Sequence, residues 1–256
     1  AVSSNIVSSN SQVFVGTTEI VSLSAPTGLI KWSYDTKKSV TGLTMNDNIL
    51  YAIAENALIA LDTVTGKPIW IKEIGQAVDN EYATRPIILE NYVYALTTYM
   101  AKYHKDGTEI WNLKLDNPYG AQPVIGEYAY VPAGNHLHII NNGEILYSIE
   151  ADKAPNKVGG EYCQHVGAVH IDEDNTFVLW TESDQDKYCQ TKLVKYEQGT
   201  EIDSVSISDM IGSEKLTDAS PIYENGQLSF TVSTIEASYL ITGKYPNLKV
   251  KEIDYT

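Results

Sequence analysis

Glycine-bearing turns recur along this chain at nearly even intervals, and that recurrence limits the folds open to it more than anything else. A glycine follows a small or polar residue at Thr27-Gly28, Thr65-Gly66, Asp106-Gly107, Asn142-Gly143, Gln198-Gly199 and Thr242-Gly243, with intervals of 38, 41, 36, 56 and 44 residues. From Gly243 past the last residue and round to Gly28 is a further 41. The unit is plainest in Ala57–Lys72, ALIALDTVTGKPIWIK. Leu58 to Leu61 read as one strand, Asp62 to Gly66 as a turn that needs φ > 0 at its glycine, and Pro68 to Lys72 as the returning strand.

The rest of the unit follows the same plan. Trp32, Trp70, Trp111 and Tyr147 each stand four residues after a turn glycine, whereas Asp203 and Asn247 break the rule in the last two repeats. A short apolar strand precedes each glycine, as in LIALD and LHIIN. Before it lies another strand rich in Val, Tyr and Ile, as in ILYAIA and YVYALT. Earlier still comes a small-Pro-aliphatic segment, as in Arg85-Pro86-Ile87-Ile88, with Gly42 and Gly167 in the proline slot of two repeats. Four short strands, A to D, in units of about 40 residues describe a propeller blade, as in WD40-type repeats. The expected fold is all-β, a single six-bladed β-propeller domain over 1–256, with blades near 1–37, 38–76, 77–117, 118–152, 153–210 and 211–256. Each blade is a four-stranded antiparallel sheet. Blade one starts with its own A strand (Ser4–Ser8) and blade six ends with its own D strand (Leu248–Tyr255). Closure then rests on side-chain packing between them, the alternative being a fragment of a larger ring. The one helix-like window, Ser208 to Lys215, is short and contains Gly212.

The pattern strand–DxxTG–xxxW resembles the PQQ-type repeat of quinoprotein dehydrogenases and of the BamB-like outer-membrane assembly lipoproteins. It is strongest at Leu58–Trp70, fair at Leu23–Trp32 and Lys105–Trp111, and faint in the last two repeats. The resemblance implies that Trp32, Trp70 and Trp111, with Tyr147 at the same position, dock between neighbouring blades, a stripe of exposed ligand-stacking aromatics being the alternative. It implies no particular activity, since the family holds enzymes, scaffolds and sensor ectodomains. A quinoprotein dehydrogenase would need eight blades, a calcium ligand set with a catalytic aspartate and often a vicinal disulfide. Six repeats and two separated cysteines do not fit that enzyme, and no cofactor is expected.

Composition narrows the partners. The net charge of −15 and the single arginine, Arg85, argue against nucleic acid. No apolar run reaches the roughly 18 residues of a membrane span. The opening residues AVSSN read as the mature end left by signal-peptide cleavage, although a trimmed chain would begin the same way. The expected location is extracytoplasmic: secreted, periplasmic, cell-surface or lumenal.

The longest loops mark the fifth repeat. Ala151–His165 (ADKAPNKVGGEYCQH) leads into it and Glu182–Cys189 (ESDQDKYC) joins its B and C strands. Long loops on a rigid scaffold are the default place for function, with drift in a tolerant loop as the alternative. Glu161, Tyr162, His165, Asp184, Asp186 and Tyr188 are the candidate binding residues. Cys163 and Cys189 fall at the same face. Their disulfide would close a 27-residue loop and constrain the unfolded chain by roughly 3 kcal/mol. A metal site from Cys163, Cys189, His165 and His170 competes, but Cys-x-His is not a structural-zinc spacing, and simple alternation puts His165 and His170 on opposite faces. No metal site is expected. His136 and His138 share a strand face. Asp172-Glu173-Asp174-Asn175 reads as a solvated A–B turn. Asp79, Glu81, Asp116, Glu161, Asp184, Asp186, Asp209 and Glu214 would make an acidic mouth or ordinary loop charge.

The expected function is that of a non-catalytic, exported propeller that binds a protein or peptide. It uses the loop face around blades four and five, or an outer D strand, those of blades five and six being the first suspects. An enzyme or small-ligand binder using the central funnel is the alternative. A structural subunit of a surface filament or coat, with self-assembly through blade edges, is the other.

Overall fold

The computed structural model describes residues 4–9, 11–75, 84–115, 122–133, 136–150, 165–172, 175–183, 189–197, 200–212, 222–224, 227–233 and 237–253. The chain divides into two compact units, one of Ala1–Pro118 with Asn142–Glu144 and one of Tyr119–Asn141 with Ile145–Thr256.

The first unit holds three sheets. The first is β1 (Val7–Ser8), β2 (Gln12–Gly16), β3 (Glu19–Ser24) and β4 (Ile30–Asp35). The second is β5 (Val40–Asn46), β6 (Ile49–Ala54), β7 (Ala57–Asp62) and β8 (Pro68–Glu73). The third is β9 (Ile87–Leu89), β10 (Tyr92–Leu96), β11 (Tyr99–His104) and β12 (Glu109–Lys114). The second unit has the same plan. Its sheets are β13 (Val124–Ile125), β14 (Ala129–Ala133), β15 (His136–Asn141) and β16 (Glu144–Glu150); β17 (His165–Asp172), β18 (Asn175–Ser183), β19 (Cys189–Glu197) and β20 (Thr200–Ser206); and β21 (Ile222–Glu224), β22 (Gln227–Ser233), β23 (Ser238–Lys244) and β24 (Asn247–Ile253). Every sheet is an antiparallel meander in chain order, so the described residues form the six four-stranded blades that the repeat predicts.

Burial explains why these segments pair as they do. In the second and third sheets the second strand carries the longest apolar run, and in β6 every residue after Ile49 is buried. A strand covered on both faces reads as a continuous hydrophobic stretch. The outermost strands β4, β8 and β12 instead alternate, with Trp32, Trp70 and Trp111 on the half-buried face. Among the described residues of the first unit one core gathers around Phe14, Ile20, Leu43 and Leu50 and another around Tyr51, Leu58, Val93 and Tyr103. Among those of the second unit cores gather around Leu137, Ile139, Val178 and Tyr196 and around Phe177, Leu193, Phe230 and Ile241.

A bulge recurs beside the tryptophan position. Ser22 pairs with Trp32 but Leu23 with Ile30, leaving Lys31 as an extra residue on β4. Ile69, Ile110 and Ile202 are the extra residues on β8, β12 and β20. The fifth sheet therefore keeps the bulge after losing the tryptophan, with Asp203 opposite Lys195 where the others place Trp. Such a bulge bends and twists the outer strand.

The sixth repeat departs from the sequence reading. Gly243 is not in a turn: it lies inside β23 opposite Leu248, and the hairpin closes two residues later at Tyr245-Pro246. Proline fixes its own φ and suits a tight turn. The register of β23 and β24 runs straight, without the bulge of the earlier repeats. The helix-like window also shifts. α1 spans Ile207–Ile211, with Ser206 as N-cap accepting from the Asp209 N–H at 3.1 Å, and it stops at Gly212.

Candidate functional site

A chain of aromatic docks links consecutive repeats of the first unit. The Trp32 indole N–H donates to the Thr63 carbonyl at 2.9 Å, and its ring covers Gly66, where an added Cβ would come within 2.6 Å of it. Trp70 repeats the arrangement, donating to the Lys105 carbonyl at 2.8 Å and covering Gly107. Trp111 covers Gly143 in turn. Each indole also meets an aromatic from the second strand of its own sheet: Phe14 against Trp32 and Tyr51 against Trp70, both at 5.8 Å between ring centroids, and Tyr94 against Trp111 at 6.4 Å. Sequence reasoning missed these partners. The signal was present, because Phe14, Tyr51, Tyr94 and Tyr130 precede the D-strand aromatic by nearly the same interval in four repeats.

Polar groups lock the same seams. The buried Gln12 amide donates to both the Ser22 hydroxyl and the Thr63 carbonyl, each at 2.8 Å. The Asn5 side chain bonds the Leu43 backbone twice, donating to its carbonyl at 2.9 Å and accepting from its N–H at 2.8 Å. The Thr44 hydroxyl donates to the Pro86 carbonyl at 2.6 Å. Within the second turn, the Asp62 carboxylate accepts from the Thr65 hydroxyl and N–H, both at 2.7 Å, and from the Val64 N–H at 3.1 Å. The Thr65 hydroxyl bond is the largest cause holding that carboxyl below its usual range. Burial pushes the Tyr51 phenol up to about 12, with Asp47 adding to it. Among the described residues the Tyr51 hydroxyl has no hydrogen-bond partner.

The outer edges differ from sheet to sheet. β24 presents Lys249, Lys251 and Glu252 to solvent, and β20 presents Glu201 and Asp203 around Ile202. Charge on an edge strand discourages further strand pairing. β16 carries none between its terminal glutamates. Ile145, Leu146 and Tyr147 follow one another on it at 41%, 51% and 38% exposure. β16 is the outermost strand of its sheet, hydrogen-bonded on one side to β15.

Against this geometry, a family model described as outer membrane protein assembly factor BamB matches residues 1–186. The chain belongs to the BamB family. Among solved structures it is similar to BamB from Moraxella catarrhalis, at 13% identity and a TM-score of 0.52 over 90% of this chain and 82% of that one. KlHsv2 with its loop 6CD replaced by a Gly-Ser linker matches at 6% identity and 0.63, over 98% of this chain and 83% of its own. The WD40 domain of Toxoplasma gondii coronin matches at 9% and 0.63, over 98% and 70%. At these identities the likeness establishes the fold alone, an all-β propeller. No curated protein matches the sequence.

In this BamB-family chain the sequence-derived loop candidates fall mostly outside the described residues: Glu161, Tyr162, Cys163, Asp184, Asp186 and Tyr188 all lie there, as do Asp79, Glu81, Asp116 and Glu214. His165 and Cys189 are placed by backbone only. His165 opens β17 opposite Thr181, and Cys189 opens β19 opposite Ser183, so both stand at one end of the same sheet. The register shift between Val166 and Ala168 pairs His165 and His170 with Thr181 and Phe177, four residues apart on β18. The simple alternation that put those histidines on opposite faces does not run through Gly167. Asp172 pairs with Asn175, and Glu173 and Asp174 between them lie outside the described residues. His136 and His138 share a face, their rings stacked at 5.6 Å, with His138 Nδ1 and the Ser148 hydroxyl 2.7 Å apart. Tyr147 holds the docking position of the fourth repeat but remains more exposed than the tryptophans.

Proposed function

We propose that this protein is a non-catalytic, extracytoplasmic scaffold that binds an extended segment of a partner protein along β16. One observation carries the reading: the run Ile145-Leu146-Tyr147 lies exposed on an outermost strand that lacks the charged guards of β20 and β24. A strand added to such an edge gains main-chain hydrogen bonds, and its alternate side chains meet the exposed aliphatics. β16 begins and ends in glutamate and the chain carries −15, so charge complementarity selects a segment with apolar residues in alternation and basic residues around them. Membership of a family described as an outer membrane protein assembly factor supports both a protein partner and a location outside the cytoplasm. β16 runs directly into the connection 151–164. In this reading that loop and 184–188, strapped by a Cys163–Cys189 disulfide, form the second contact.

The test is affinity for two synthetic peptides of identical composition, one alternating valine and lysine, the other with the same residues in two blocks. The alternating peptide binds more tightly, and Leu146→Lys abolishes the difference. Equal binding of the two peptides, or an unchanged preference in the variant, contradicts the reading. Residue 146 is exposed, so the variant retains the fold.

A further inference from the structure

The first of the glycine turns repeats the backbone of the second and, among the described residues, is unfilled. Gly28 and Gly66 both have φ of +69°. Gly28 N–H donates to the Ser24 carbonyl at 2.7 Å and Gly66 N–H to the Asp62 carbonyl at 2.9 Å. Ser24 N–H donates to Leu29 at 2.8 Å and Asp62 N–H to Lys67 at 3.0 Å. Ala25 N–H donates to Ser11 at 3.0 Å and Thr63 N–H to Asn48 at 3.0 Å. Three matched hydrogen bonds and one matched dihedral make the two turns the same receptor.

Their occupancy differs. Gly66 is covered by Trp32, and Gly107 and Gly143 by Trp70 and Trp111. Among the described residues nothing lies within 4 Å of where a Gly28 Cβ would sit. The residue after the glycine differs too. Lys67, Thr108 and Glu144 are polar at the covered turns, whereas Leu29 is aliphatic at the open one and 70% exposed, beside Ile30 at 68%.

We propose that the Gly28 turn is a binding site for a tryptophan side chain of a partner protein. The established seam says what fills it, because the three sister turns all receive an indole and the Gly28 turn continues that row. The ring would cover Gly28 as Trp32 covers Gly66. Its N–H would meet the Ala25 carbonyl, the counterpart of the Thr63 carbonyl. Leu29 and Ile30 would supply apolar surface beside the ring. Trp32, Trp70 and Trp111 are engaged in their own docks, and the fourth tryptophan, Trp180, stands on an inner strand paired on both sides, with Val166 and Lys192, so a second copy of this chain would have to unpack a tryptophan from its own fold, and a different protein is the occupant. This site is independent of the β16 edge.

The experiment is a titration of the isotope-labelled full chain with N-acetyltryptophanamide, followed by amide chemical shifts. Saturable shifts at Ala25, Gly28, Leu29 and Ile30, with none at Gly66, Gly107 or Gly143, are expected. N-acetylphenylalaninamide, which lacks the indole N–H, binds about fivefold more weakly, the effect of one net hydrogen bond. Leu29→Glu, a substitution on an exposed side chain, removes the shifts while leaving the rest of the spectrum in place. Absence of saturable shifts at Gly28 overturns the proposal. So does equal response at all four turns, or an unchanged response in Leu29→Glu.

Discussion

Trp32 reaches out of its own sheet to seal the turn of the next, its ring over Gly66 and its N–H on the Thr63 carbonyl. Glycine is needed at 66 twice over: for a φ of +69° and for the space that the indole occupies. At Gly28 the dihedral is the same and, among the described residues, the space is open. Gly66→Ala therefore combines a left-handed penalty of about 1–2 kcal/mol with an overpacking cost of about 1–3 kcal/mol. Gly28→Ala incurs only the first. Urea denaturation of the two variants should give a clear gap, with Gly66→Ala the less stable, and equal losses would contradict the docking geometry.

Trp70 tests the hydrogen bond separately from the ring. Trp70→Phe keeps an aromatic against Tyr51 and Gly107 but withdraws the donor from the Lys105 carbonyl. The expected loss is about 1–3 kcal/mol, from a part-buried acceptor left unsatisfied together with some lost ring volume. Trp70→Ala should lose about 3–5 kcal/mol. Both are read from chemical denaturation midpoints at unchanged m-value.

Tyr51 makes an alkaline signature. Its phenol is raised from 10.0 to about 12, burial first and Asp47 second. The folded-state value lies above the unfolded one, so the contribution is complete below pH 10 and is lost as pH rises toward 12. Tyr51→Phe should flatten the fall of Tm across that window. At neutral pH the variant should be no less stable than the parent, because the Tyr51 hydroxyl has no partner among the described residues.

The cysteine strap is read from mass. Intact protein should weigh about 2 Da less before reduction than after it, the two hydrogens given up to one disulfide. Free thiols on the protein as isolated would remove the strap from the account of the fifth-repeat loops.

The fold was largely legible because its unit repeats. Strand, turn glycine and tryptophan recur with their spacing intact through Trp111, so a local pattern reported a global plan. Legibility failed where the unit changed its turn chemistry. In the sixth repeat Pro246 closes the hairpin, and Gly243 serves the close approach of β24, where an added Cβ would stand 2.6 Å from the Asn247 carbonyl oxygen. A glycine alone does not distinguish these two uses. The edge on β16 was hidden for another reason. Ile145-Leu146-Tyr147 reads like any apolar strand, and only exposure separates it from the buried runs of β6. For the last two outer strands the missing tryptophans are a packing signal, whereas charge on the edge is what discourages a further strand.

The central claim is that β16 takes up a partner strand, and amide hydrogen exchange tests it most directly. With the alternating valine–lysine peptide bound, alternate β16 amides, those pointing away from β15, should exchange more slowly, while β24, with Lys249 and Lys251 on its surface, should not change. Protection absent from β16, or equal on β16 and β24, would contradict the account.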